Sequence, residues 1–195
     1  MKKIISKKRE LELDFWETWY AHNDPINITY TIWETRLERF PELGKLNVGQ
    51  KGLDLGCGPM SIFEFSDIAD TVMAIDPLDK EFRKFAPRFN RVAYYYGDGE
   101  NLIFGSETFD WVACFNVIDH TPNPLRMLAE IYRLLKRDGT LFFEVFFEDT
   151  HTSPHYQLWR EDKIEWVRGI FEEIRNQKER EEKLKRTVFS GVYKK

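Results

Sequence analysis

From Gly52 onward, short runs rich in β-branched and aromatic residues alternate with segments of helical spacing. That alternation predicts a mostly parallel sheet with helices on both faces. Strands are expected at Gly52–Leu55, Thr71–Ile75, Arg91–Tyr96, Trp111–Asn116, Thr140–Phe147 and Phe171–Arg175, with a seventh at Thr187–Tyr193. Between them, Pro77–Phe89 and Pro124–Lys136 have the spacing of helices. In the second, Leu125, Leu128, Ile131, Tyr132 and Leu135 form one stripe with charges opposite. Asp138-Gly139 reads as its stop. Only the charged run Gln177–Arg186 separates the last two strands, with no full-length helix between, so they read as a closing hairpin. Upstream, Leu11–Tyr20 and Ile28–Phe40 read as two helices separated by Asn23-Asp24-Pro25, a turn and N-cap signal.

The 195 residues suit a single domain over 1–195, with a helical cap at 1–48 and the sheet core at 49–195. With 16 Phe, 8 Tyr and 6 Trp the chain has the means to bury a sizeable core, which excludes disorder of the whole. Lys plus Arg number 29 against 33 for Asp plus Glu, a net charge of −4 that argues against coating nucleic acid or anionic lipid. No apolar run approaches the roughly 18 to 20 residues needed to cross a bilayer, and the basic start lacks the apolar stretch of a secretory signal. Cys57 and Cys114 form neither a disulfide framework nor a metal-binding pair. A cytoplasmic protein without a membrane partner is expected; oligomeric state is not encoded in these features.

The most informative stretch is Gly52-Leu53-Asp54-Leu55-Gly56-Cys57-Gly58-Pro59, an apolar strand running into a Gly-x-Gly turn. Glycines there let backbone pass close to a ligand. Asp54 precedes the turn and Ser61 holds the place of a dinucleotide fingerprint's third glycine. A carboxylate beside that turn repels a phosphate and suits a cationic group, which disfavours an NAD enzyme. Asp76 ends the second strand, where a carboxylate can accept both hydroxyls of a ribose. Asp98 lies just beyond the third strand, where an acceptor can take the exocyclic amine of adenine.

With these motifs the chain resembles the class I S-adenosylmethionine-dependent methyltransferases, more narrowly the small methyltransferase type 11 domain. The resemblance runs from about Gly52 to Phe147. It continues through Ala74-Ile75-Asp76-Pro77, Gly97-Asp98-Gly99-Glu100-Asn101-Leu102, Phe109-Asp110-Trp111-Val112, Val117-Ile118-Asp119-His120 and the run Glu130 to Gly139. It implies a Rossmann-like α/β fold, a seven-stranded mostly parallel sheet with the last strand antiparallel. It also implies S-adenosylmethionine as cofactor, with S-adenosylhomocysteine as product. By position, Gly56, Cys57 and Gly58 would admit the methionyl part, Asp54 would help hold its amino group, and Asp76 with Pro77 would take the ribose. Asp98 and Gly99 would bind adenine, and Asn116 would line the pocket under the sulfonium. Ile103 replaces the family's usual proline and Asp138 a usual glycine; neither touches a proposed ligand contact.

Methyl transfer is an in-line displacement that asks mainly for alignment and exclusion of water, and an oxygen acceptor also benefits from a base. His120, beyond the fourth strand, is the candidate base, set against the alternative of a helix cap or packing residue. Asp119 is a weaker candidate to orient it, since neighbours on an extended segment point apart. In the loop Glu148 to Tyr156, a zinc reading of His151 and His155 is set aside because Pro154 opposes a helix that would bring both to one face; no metal is expected. Trp159 and Trp166 read as core, as do most of Phe15, Trp16, Trp19, Tyr20, Tyr30 and Trp33, some of which would shape the acceptor pocket. Arg36 is indistinguishable from a surface arginine. The function expected is methylation of a small molecule at a hydroxyl oxygen. N-methylation of a small amine or protein side chain, and a non-catalytic cofactor-binding partner protein, remain as alternatives. Nucleic acid is disfavoured also because Asn116-Val117-Ile118-Asp119 stands where a flipped-base motif would be.

Overall fold

The structure is a computed structural model that describes residues 2–147, 155–156, 158–182 and 186–195, with side chains from Lys7 onward. Its strands are β1 (Gly52–Leu55), β2 (Val72–Asp76), β3 (Ala93–Tyr96), β4 (Phe109–Phe115), β5 (Leu135–Phe147), β6 (Glu172–Glu181) and β7 (Arg186–Lys194). They form one sheet in the order β3-β2-β1-β4-β5-β7-β6. β3, β2, β1, β4 and β5 run parallel, and β7 is antiparallel to both β5 and β6. The chain thus has the expected seven-stranded α/β sheet with its closing hairpin, and a helical N-terminal region.

The helices are α1 (Lys2–His22), α2 (Pro25–Arg39), α3 (Asp79–Phe82), α4 (Pro124–Leu134) and α5 (Glu161–Arg168). Asp24 caps α2 by accepting from the amides of Ile26 and Asn27, with Pro25 in the first turn. Two apolar layers cover the sheet. On one face Leu53, Leu55, Val112 and Phe143 pack with Leu128 and Ile131 of α4 and with Trp159, Ile164 and Val167 around α5. On the other, Ala74, Trp111, Ala113 and Phe142 pack with Trp33 of α2, Phe40 and Phe63. Trp159 is fully buried and Trp166 packs against the same cluster, as expected of core residues. Arg36 is no surface arginine: it and Arg39 reach Glu144 on β5 at 2.7 and 3.2 Å, and all three are buried.

Several expected boundaries are corrected. The helix expected over Pro77–Phe89 shortens to the single turn α3, and Pro87 disfavours its extension through Ala86 to Phe89. Beyond that turn the chain folds back, and Arg88 bonds Asp79 at 2.7 Å and the Pro59 carbonyl at 2.9 Å. α4 ends at Leu134 rather than Lys136, since Leu135 already pairs with Phe109 of β4. Asp138 takes a left-handed φ of 61° inside β5 instead of closing the helix. The charged run after Arg175 is not a gap: β6 continues to Glu181 as the sheet's edge strand, where charges are tolerated.

Candidate functional site

β1 to β4 are parallel, so the turns that follow them share one edge of the sheet. After β1, Gly56 and Gly58 adopt φ of +70° and +64°, the left-handed region that other residues pay to enter. A Cβ on Gly56 would stand 2.4 Å from Val117 Cγ2, so the turns after β1 and β4 are in direct contact there. The amides of Gly56 and Cys57 both donate to the Ile75 carbonyl, at 2.7 and 3.1 Å.

Asp76 ties the same turn to the end of β2. Its Oδ2 accepts from the Gly58 amide at 3.0 Å and its Oδ1 from the Leu78 amide, beyond Pro77, at 2.8 Å. Burial pushes this carboxyl up to about 7, and Glu12 and Asp79 add to that, against the pull of the two amides. Each carboxylate oxygen keeps a free lone pair in this arrangement, so both can still accept from a diol. Asp54 is one step inside β1. Its Oδ2 accepts from Ser61 Oγ at 2.6 Å, and burial pushes it up to about 6, with Ser61 and Arg36 opposing. Ser61 is therefore no neutral stand-in for glycine: its hydroxyl also caps the following turn by accepting from Phe63.

Beyond β3, Asp98 accepts from the Glu100 amide and pairs with Arg9 at 2.5 Å. Gly99 is buried against Met127. Beyond β4, Asn116 also has a left-handed φ, 54°, fixed by its amide donating to the Glu144 carbonyl. Its Oδ1 is buried and has no hydrogen-bond partner among the described residues. His120 ends a short 3₁₀ turn, Ile118–His120, and its Nδ1 lies 3.0 Å from Glu12. Burial lowers this imidazole's affinity for a proton, but Glu12 and the charges of Asp119 and Asp76 override it and raise its pKa to about 9. Asp119 does come within reach: on the 3₁₀ turn its Oδ1 is 3.9 Å from His120 Nε2, where an extended segment would have separated them. His151 lies outside the described residues, and His155 meets Asp119 and His120 instead, its ring centroid 4.4 Å from that of His120.

Sequence reasoning expected a helical cap here but missed the pairings through which α1 makes it. Arg9 reaches Asp98, Glu12 reaches His120, and Trp16 stands 3.8 Å from a Cβ built on Gly58. Tyr20 packs on Phe85, beyond β2. A single helix thus contacts the segments after β1, β2, β3 and β4 and roofs the edge where the acids converge. The signal was present in the spacing, since residues 9, 12, 16 and 20 recur every three or four positions and share one helical face.

A glycine turn, three strand-end acids and a roof helix on a sheet with one antiparallel strand define a class. Residues 53–143 match the family model described as the methyltransferase domain, and the sheet has the fold of the class I methyltransferases. Among curated proteins it is 26% identical over 148 residues to the ubiquinone biosynthesis O-methyltransferase of Actinobacillus pleuropneumoniae serotype 7, covering 69% of this chain. This chain spans 63% of that relative's length. Among solved structures it resembles the 1,6-didemethyltoxoflavin-N1-methyltransferase of Burkholderia thailandensis, with TM-score 0.68 and 17% identity over 100% of this chain and 88% of that one. A SAM-dependent methyltransferase of Thermotoga maritima gives TM-score 0.65 and 18% identity over 100% of both chains.

Proposed function

We propose that this protein transfers the methyl group of S-adenosylmethionine to a hydroxyl oxygen of a small molecule, leaving S-adenosylhomocysteine. The observation that carries the reading is the Asp76 carboxylate, held by the glycine-turn amide on one oxygen and Leu78 on the other. It presents a rigid acceptor for the ribose beside a turn in which no Cβ obstructs the methionyl chain. Asp98 with Gly99 serves adenine, Asn116 lies under the sulfonium, and Asp54, with its Ser61 partner, neighbours the amino group. Asp54 is not a phosphate site, which suits a cationic donor and not a dinucleotide. The preference for oxygen rests on the likeness to the ubiquinone biosynthesis O-methyltransferase.

Methyl transfer needs alignment and dryness more than covalent help. The roof helix supplies the cover, with Trp16 over the glycine turn, and His120 marks the acceptor side. Holding its proton at neutral pH, His120 acting alone as base would make transfer climb as pH approaches about 9. N-methylation is the second reading, favoured by the N1-methyltransferase among the structural neighbours. No helix among the described residues is long and apolar enough to cross a membrane, and the reading places the reaction in the cytoplasm.

The test is mass-spectrometric detection of methyl transfer from S-adenosylmethionine to a panel of small phenols, catechols and hydroxy acids, with matched amines alongside. Transfer to hydroxyl compounds, abolished in Asp76→Ala, supports the reading. Transfer to the amines alone overturns the oxygen assignment. Failure of the protein to bind S-adenosylhomocysteine overturns the whole.

A further inference from the structure

One cluster at the roofed edge has chemistry that the cofactor does not absorb. The ligating atoms of Asp119, His120 and His155 lie within 4.8 Å of one another, with Asp119 buried and both imidazoles partly so. Asp119 Oδ1 is 3.9 Å from His120 Nε2, and Asp119 Oδ2 is 3.4 Å from His155 Nδ1. On the far side of His120, Glu12 Oε2 is 3.0 Å from Nδ1. A carboxylate beside the back nitrogen can stabilise the Nδ1 proton once a cation displaces the one on Nε2, the part outer carboxylates play for metal-binding imidazoles.

The backbone holds the three in place. The Tyr156 amide donates to the Asp119 carbonyl at 2.7 Å, Lys8 donates to the His155 carbonyl, and the His120 amide donates to Val117 at 2.9 Å. Trp16 Nε1 fixes the other Glu12 oxygen at 2.9 Å. Lys163, the cation that Asp119 feels electrostatically, is itself bonded to the Leu158 carbonyl. Tetrahedral coordination at about 2.0–2.2 Å per ligand sets donors some 3.5 Å apart, so the donors must close by about 1 Å. Two imidazoles and one carboxylate with an open position suit a divalent transition cation and not calcium.

We propose that Asp119, His120 and His155 form a divalent transition-metal site, with Glu12 as its outer carboxylate. The site stands on this geometry alone; its role rests on the O-methylation reading above. The cation's open position takes the acceptor hydroxyl, whose proton leaves to solvent. The oxygen lone pair then forms the new C–O bond while the methyl C–S bond breaks, its electron pair remaining on sulfur and cancelling the sulfonium charge. This role for His120 as a ligand replaces that of a free base.

The test is calorimetric titration of metal-stripped, tag-free protein with zinc chloride and with manganese chloride. One saturable site per chain at micromolar or tighter affinity is expected for at least one of the two. Asp119→Asn and His155→Ala should each weaken it at least tenfold, and Glu12→Gln about tenfold. S-adenosylhomocysteine titration of every variant reports whether the cofactor site is still folded. Absence of saturable binding by the wild type, or affinity unchanged in both Asp119→Asn and His155→Ala, overturns the site. If the site binds metal but hydroxyl methylation proceeds equally after chelation, the acceptor role falls. Failure to methylate any hydroxyl compound, with metal bound, counts against the O-methylation reading instead.

Discussion

Asp76 is the place where the electrostatics of the empty site and the chemistry of the ligand meet. Its carboxyl is raised from 3.8 to about 7. Each tenfold displacement of an acid equilibrium is worth about 1.4 kcal/mol, so the cofactor-free site disfavours the ionised form by roughly 4 kcal/mol relative to an ordinary carboxyl, and at pH 7 the group is about half ionised. Two ribose hydroxyls donating to it contribute charge-assisted bonds of about 1.5–3 kcal/mol each, enough to offset that cost. Cofactor binding should therefore expel the Asp76 proton at and below pH 7. The folded, empty protein binds more protons than the unfolded chain between 3.8 and about 7. The stability this group contributes is thus present below 3.8 and lost as pH rises through 7, while cofactor affinity moves the other way. Between pH 6 and 8.5, affinity for S-adenosylhomocysteine should rise about tenfold and then level. Asp54, raised to about 6, adds no more than about twofold over that range. Calorimetry at pH 6, 7 and 8.5, in two buffers of different protonation heat, reads both affinity and released protons. In Asp76→Asn the affinity should be weaker and its slope nearly flat. A wild-type affinity independent of pH, with no proton release, would refute the reasoning, as would an undiminished slope in Asp76→Asn.

Two further substitutions probe what shapes the site. Gly56→Ala combines a left-handed backbone with a Cβ 2.4 Å from Val117. It should cost about 2–4 kcal/mol and abolish cofactor binding; an unchanged Tm by calorimetric scan would contradict the strain. Glu144→Ala leaves the buried Arg36 guanidinium without its partner carboxylate, while Arg39 keeps Glu179 and Glu181. Urea unfolding should show a loss of about 3–5 kcal/mol, with Glu144→Gln milder. A loss below about 1 kcal/mol would mean that water reaches the pair.

The places of the strand-end acids were legible because they are set locally. Asp76 must end a strand and Gly56 must turn, and both requirements are written within a few residues. The two N-terminal helices were legible from periodicity, and α2 from Asp24 and Pro25. What periodicity cannot show is competition between segments far apart. α4 ends early because Phe109 of β4 claims Leu135 for the sheet, a contact that no helical stripe contains. β6 was cut short because an edge strand carries charges on both sides and so lacks alternation. The pairing of Glu12 with His120 joins residues 108 positions apart, and a helix face does not announce which loop it will meet.

The two N-terminal helices are held by different physics. α2 is fixed through the Arg36, Arg39 and Glu144 cluster, whose groups are almost wholly out of water and costly to separate. The same Glu144 accepts the Asn116 amide through its backbone carbonyl, so the wall of the pocket and the anchor of α2 are one residue. α1 is held across the site by pairs that remain partly solvated, Arg9 with Asp98 at 32% and 46% side-chain exposure and Glu12 with His120 at 22% each. Solvated pairs of this kind contribute about 1 kcal/mol or less each. The helix above the glycine turn is therefore the more weakly tied of the two. Asp98, one of its anchor points, is also the group proposed for adenine, so on that reading cofactor and roof draw on the same carboxylate.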